Sequence, residues 1–194
     1  LRIQIQQTIV GGQKDDEAFH FPITIAVETA SGGWEQHHIE MDSFHHTLRL
    51  SLDQPPLQII VDPECIAVCE IDFDPGQEMA ARSVQHSPYL HGRVVAIESL
   101  IKSGRRIAFQ VVSQCWKEQY YGIREKLAVA LGKSKHNMAQ DQLLEMLSSE
   151  EHPTVQTAVV RALGSHRSQE TSTALVAYAK REDISYRVVG TALL

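Results

Sequence analysis

Among the side chains of this 194-residue chain that could ligate a metal or act as nucleophiles are ten histidines and three cysteines. The histidines include two adjacent pairs, His37-His38 and His45-His46, inside alternating segments that read as strands. Neighbours on a strand point to opposite faces, so a pair cannot grip one ion. His38 shares a face with Glu40 and His37 with Ile39, and neither face gains a defined third ligand. The spacing H-E-x-x-H, which sets two imidazoles on one helical turn around zinc with a glutamate base between them, does not occur. Nor does C-x-x-C, a Gly-rich phosphate loop or a G-x-S-x-G elbow. Cys65, Cys69 and Cys115 make an odd set without framework spacing, which argues against a secreted disulfide-built scaffold. On a strand, Cys65 and Cys69 would share a face about 13 Å apart, at roughly 3.3 Å per residue, too far for a bridge. All three cysteines are expected in the core. No catalytic, cofactor-binding or metal-ligating residue is assigned, and the histidines are expected at the surface or on strand edges.

The elements that would carry these residues divide at a shift in composition. Residues 1–72 read as short strands: "RIQIQQT" alternates, and "FPITIAVET" sets Phe21, Ile23, Ile25 and Val27 on one face. Gly32-Gly33 turns the chain into "WEQHHIEMD"; "HTLRLSL", "LQIIVDP" and "CIAVCEI" follow. Six or seven such strands punctuated by Gly, Pro and Asp predict a small antiparallel β-sandwich. The segment from Asp72 to Gly76 reads as the exit turn into helices.

A motif then recurs. "RVVAIESL", "REKLAVAL", "QTAVVRAL" and "RVVGTALL" begin at Arg93, Arg124, Gln156 and Arg187, at steps of 31, 32 and 31 residues. Such a period on a helical pattern predicts a solenoid of stacked helix pairs, HEAT-like in period and pattern. Partner helices are expected in "GRRIAFQVVSQCWKEQ", in "NMAQDQLLEMLSS" with Asn137 as N-cap, and in "SQETSTALVAYAK" with Leu175, Val176 and Ala179 inward. Pro153 suits a first helical turn. Gly132 and Gly164 are expected to close their helices in a left-handed conformation. Arg93, Arg124 and Arg187 recur at one repeat position, as a polar ladder tying repeats together or as a ligand-binding stripe. The predicted layout is α+β with two domains, a β-sandwich over 1–77 and an α-α superhelix of HEAT/ARM-like repeats over 78–194.

Charge divides in the same place. Residues 1–78 carry 3 Lys/Arg against 14 Asp/Glu, and residues 79–194 carry 15 against 10. Opposite signs suit either mutual docking or separate partners. The densest basic cluster is Lys102, Arg105 and Arg106, with no aromatic platform beside it, so no nucleic-acid partner is expected. No apolar run approaches the ~18 residues of a membrane span, and no membrane partner is expected. Leu1 stands inside a strand-like pattern and the fourth repeat copy stops at Leu194. The chain is therefore expected to be a piece of a longer polypeptide, with Leu193 and Leu194 leaving an apolar edge prone to fraying or self-association.

The segments "IQQT", "FPITIAVET", "HHIEMDS", "LRLSLDQPPLQIIVDPE", "IDFD" and "EMAARS…YLHGRVVAIESL…YYGIREKLAVAL" resemble the region downstream of the catalytic domain in the aminopeptidase N family of zinc metallopeptidases. That resemblance implies a β-sandwich joined to the start of a helical superhelix, a non-catalytic C-terminal region shaping the substrate chamber. It further implies zinc in an upstream catalytic domain, none in this chain, and two partners: that domain and the peptide substrate. The family's G-x-M-E-N stretch and H-E-x-x-H are both missing here, so no catalytic residue carries over. The alternative is a HEAT-repeat interaction scaffold from an inactive aminopeptidase-like protein, of the transcription-factor-subunit type, with a protein partner on its concave face. A cytoplasmic location is expected in either case.

Overall fold

A computed structural model describes residues 1–9, 17–181, 185, 188 and 190–191. The described residues form five β-strands followed by seven α-helices and one short 3-10 helix. The chain divides into two compact units, one of residues 1–75 with 88–92, the other of residues 76–87 with 93–194.

In the first unit the strands make two antiparallel sheets. Strand β1 (Arg2–Gln6) pairs with β4 (His45–Arg49), Ile3 lying opposite Leu48. Strand β2 (Phe21–Glu28) lies between β3 (Trp34–Met41) and β5 (Gln58–Val61), and Ile25 faces His37 on one side and Val61 on the other. Ile23, Ile25 and Val27 are buried, as period-two alternation requires. Ala26 and Glu28, on the opposite face of the central strand, are buried too. Glu28 accepts a hydrogen bond from Gln58 Nε2 at 2.5 Å, which gives this buried carboxylate a partner. Gly32, at φ +84°, makes the turn between β2 and β3 that a residue with a Cβ would strain. Tyr89 belongs to this unit: its hydroxyl accepts from Gln36 Nε2 at 3.0 Å and its ring meets Trp34 edge-on.

The expected strand "CIAVCEI" is not formed. Asp62 and Cys65 take left-handed conformations, at φ 48° and 55°. The Asp62 carboxylate accepts the N–H groups of Ile66 and Ala67 at 3.0 and 2.9 Å. Those amides are committed to a local turn and cannot join a ladder, so side-chain capping overrides β-branched composition. Cys65 and Cys69 are exposed in this loop rather than in the core, and only Cys115 is buried. Five strands among the described residues thus replace the expected six or seven.

In the second unit the helices alternate between two layers. Helices α1 (Gly76–His86), α3 (Arg106–Val112), α5 (Asn137–Ser149) and α7 (Gln169–Ala179) touch in succession, and α4 (Tyr121–Lys133) packs on α6 (Pro153–Gly164). Helix α2 (Leu90–Lys102) carries the first motif copy. The 3-10 helix Ser113–Lys117 prolongs α3 and buries Cys115. Ile123, Leu127 and Leu131 of α4, Leu143 and Leu147 of α5, and Val155, Val159 and Leu163 of α6 form the core at helical spacing. Helix α7 turns Thr171 and Tyr178 inward and leaves Val176 55% exposed, against the expected face.

Two glycines and one cap differ from expectation. Neither Gly132 nor Gly164 has a positive φ; both lie within the last turn of their helices. A Cβ on Gly132 would stand 2.7 Å from the Ala162 Cβ and 2.8 Å from its Cα, so this glycine permits the close approach of α4 to α6. Gly164 has open space around it. The N-cap of α5 is His136, whose Nδ1 accepts the Met138 N–H at 3.2 Å, and Asn137 is the first helical residue. His152 caps α6 in the same manner, with Pro153 at the start of the helix as expected. Ser168 caps α7 through a reciprocal capping box with Thr171.

Candidate interaction face of the helical array

The recurrent arginines build a ladder between repeats. Arg93 of α2 donates through Nε to the Val84 carbonyl at 3.2 Å and through Nη2 to the Glu118 carboxylate. One repeat later Arg124 of α4 holds Glu150 with two parallel bonds, Nε to Oε2 at 2.8 Å and Nη2 to Oε1 at 3.0 Å. Its Nη1 donates to the Glu118 carbonyl at 2.5 Å. Gln156 stands at the same repeat position in α6, and its Nε2 donates to the Glu150 carbonyl at 2.9 Å. Each rung ties a helix start to the loop before it or before the next motif helix, and Arg93 also reaches the last turn of α1 through the Val84 carbonyl. For Arg93 and Arg124 the arrangement is the structural ladder rather than a ligand stripe; Arg187 lies outside the described residues, as do Leu193 and Leu194.

The electrostatics follow from that geometry. The hydrogen bond from Arg93 holds the Glu118 carboxyl below its usual range, against some desolvation. Burial pushes the Glu150 carboxyl up, but hydrogen bonds from Arg124 and from the His152 and Glu151 N–H groups outweigh it and leave it lowered. The bond to Glu150 raises the Arg124 guanidinium in turn. Glu150 has a side chain only 8% exposed, so this is a desolvated pair satisfied on both sides. The acidic half of the ladder is absent from the expectations, although a signal for it exists in the spacing: Glu118 and Glu150 stand 32 residues apart and Glu182 follows after another 32. Glu182 lies outside the described residues.

The residues first considered for chemistry do not converge. His38 Nδ1 bonds the hydroxyl of its cross-strand neighbour Thr24 at 2.9 Å, and His37 Nε2 lies 3.6 Å from the Glu35 carboxylate. Among the described residues no three of His, Cys, Asp and Glu group as metal ligands. The Cys115 thiol is pushed up to about 11 by burial. Partial burial and the Asp62 charge raise the Cys65 and Cys69 thiols as well. A raised thiol is a poor nucleophile at neutral pH.

What the array does present is a groove. Helices α4 and α6 leave an open cleft of about 230 Å³ between them. Gly132, Ala158 and Ala162 supply its small side chains, Val129 is 39% exposed in it, and Glu125, Lys133 and Arg161 bring charge to it. Gly132 is the residue that lets the two helices come close enough to form one continuous surface. Sequence reasoning did not single out this face, since Val129, Lys133 and Arg161 each look like ordinary surface residues until the helices are paired.

An array of paired helices in which each motif helix rests on its neighbours is a helical repeat scaffold. A family model for HEAT repeats matches residues 111–193, from the end of α3 through α7 and beyond. The helical C-terminal part is therefore a HEAT-like repeat region. The chain has no match among curated proteins. Among the described residues no helix is long and apolar enough to cross a membrane.

Proposed function

We propose that this chain is a non-catalytic accessory region of an aminopeptidase N-like zinc metallopeptidase, in which the HEAT-like array walls the space that peptides cross. The observation that carries the proposal is the order of parts, small antiparallel sheets followed directly by HEAT-like helices. On this reading residues 1–77 act as a spacer domain and residues 78–194 as the wall, in a cytoplasmic parent. The chain's own residues do not fit zinc: H-E-x-x-H does not occur, and no ligand group forms among the described residues. The metal, and the hydrolysis it would support, belong to an upstream domain.

The test is zinc content and hydrolysis of aminoacyl-amide reporters, measured for this chain and its full-length parent together. Zinc and activity in the parent alone are expected. Chelator-sensitive hydrolysis by the chain itself would overturn the assignment.

A second reading is favoured by the α4–α6 groove, which suits a protein-interaction scaffold whose parent has no peptidase chemistry. HEAT-type arrays commonly bind extended partners, and a fold does not by itself fix an activity. Silence of the parent in both assays supports this second reading.

A further inference from the structure

We propose that the α4–α6 groove is a docking site for an extended peptide segment with acidic side chains on either side of an apolar one. This deepens the scaffold reading of the array and rests on it. The volume of about 230 Å³ falls short of the roughly 300–1,000 Å³ of an enclosing small-molecule pocket. It has room for a few side chains of a chain lying across it. Val129 of α4 and Ala158 of α6 offer the apolar contact.

Charge decides the partner. Lys133 and Arg161, each in the last turn of its helix, bring cations to the groove from opposite sides. Arg161 is exposed and makes no ion pair among the described residues, whereas Arg93 and Arg124 are held by the ladder. Lys133 reaches Glu98 at 3.5 Å with both side chains largely in solvent, a contact that a better-placed carboxylate can replace. Glu125, also lining the groove, disfavours a uniformly anionic polymer such as a nucleic-acid strand. Cations in a last turn also offset the helix macrodipole. That structural role would move stability and leave binding unchanged.

The experiment is fluorescence anisotropy of a labelled Gly/Ser peptide carrying a central Glu-Leu-Glu, titrated with the full chain. Its Gln-Leu-Gln analogue and a single-stranded oligodeoxynucleotide serve as comparisons. Saturable, salt-sensitive binding of the acidic peptide is expected. Arg161→Gln should weaken it about tenfold, and Lys126→Gln, on an exposed part of α4 outside the groove lining, should leave it unchanged. Equal binding of the Gln-Leu-Gln peptide or of the oligonucleotide would overturn the acidic specificity. Binding unaffected by Arg161→Gln would overturn the groove while leaving the scaffold reading intact. Failure of every peptide to bind would overturn the proposal, and capture of a stoichiometric partner by the unaltered chain would then show whether the scaffold reading survives it.

Discussion

The two units hold their sheltered carboxylates in different ways. In the β unit, Glu28 sits in the core at the end of β2 and is met by Gln58, its cross-strand neighbour in β5. In the helical array, Glu118 and Glu150 recur with the repeat, and each is held by an arginine 25 or 26 residues earlier in the chain. The first solution depends on one strand register, whereas the second can be repeated, because a stacked array presents the same neighbours at every step. The lesson extends to the glycines. Gly32 serves a turn by its backbone conformation, and Gly132 serves a helix contact by its missing side chain.

The largest test of this contrast lies in the cores. Ile25→Ala and Leu163→Ala each empty a fully buried site, and each should cost about 2–5 kcal/mol. Urea unfolding followed by a probe in each unit should show each substitution shifting its own unit's transition. Equal displacement of both transitions by either substitution would break the two-unit comparison. Next in size is Glu150→Ala, which leaves the largely buried Arg124 guanidinium with backbone carbonyls but no carboxylate and should cost about 3 kcal/mol in the array. Lys133→Ala, at the exposed pair with Glu98, should cost less than about 1 kcal/mol in the same urea titration.

Gly132→Val should destabilise the array by about 1–3 kcal/mol, through contact with Ala162 that includes backbone. Gly164→Ala meets nothing and should be neutral or stabilising by up to about 1 kcal/mol. Thermal unfolding of the pair separates a packing role from a capping role. The smallest effect is in pH. Both ladder carboxyls are lowered in the folded state. Their contribution is therefore complete above the unfolded carboxyl value of about 4.3 and is lost as pH falls through the lower folded values. Unfolding free energy measured downward from pH 6 should fall below about pH 4, and more shallowly in Glu150→Gln.

Much of the array was legible because its signals repeat. The motif starts, the segment that became α5 and the inward positions of α4 and α6 all follow from helical spacing. The β unit was less legible because each strand is read once. Strands β2, β3 and β5 appeared where alternation put them, but the 65–71 segment was decided by the Asp62 carboxylate, which composition does not reveal. Residue type does not announce His136 as a cap, since imidazole is not among the Ser, Thr, Asp, Asn and Gly preferred there, and its Nδ1 serves by geometry. Of the candidate groove only Gly132 stood out in the sequence, and as a helix-closing residue rather than a contact. Its residues lie on two helices and acquire a common function only when Gly132 brings those helices together.

By itself, the sequence determined the α+β order, the period of the repeat, the opposite charge of the two halves and the recurrence of arginine. Each of these is a local or periodic property, set by residue type and spacing. Tertiary structure alone decided that Cys65 and Cys69 are exposed, that Gly132 is a contact, that Arg124 is held while Arg161 makes no ion pair among the described residues, and that a groove lies between α4 and α6. Those outcomes depend on which atoms distant in sequence come within a few ångströms, and packing, rather than pattern, selects them.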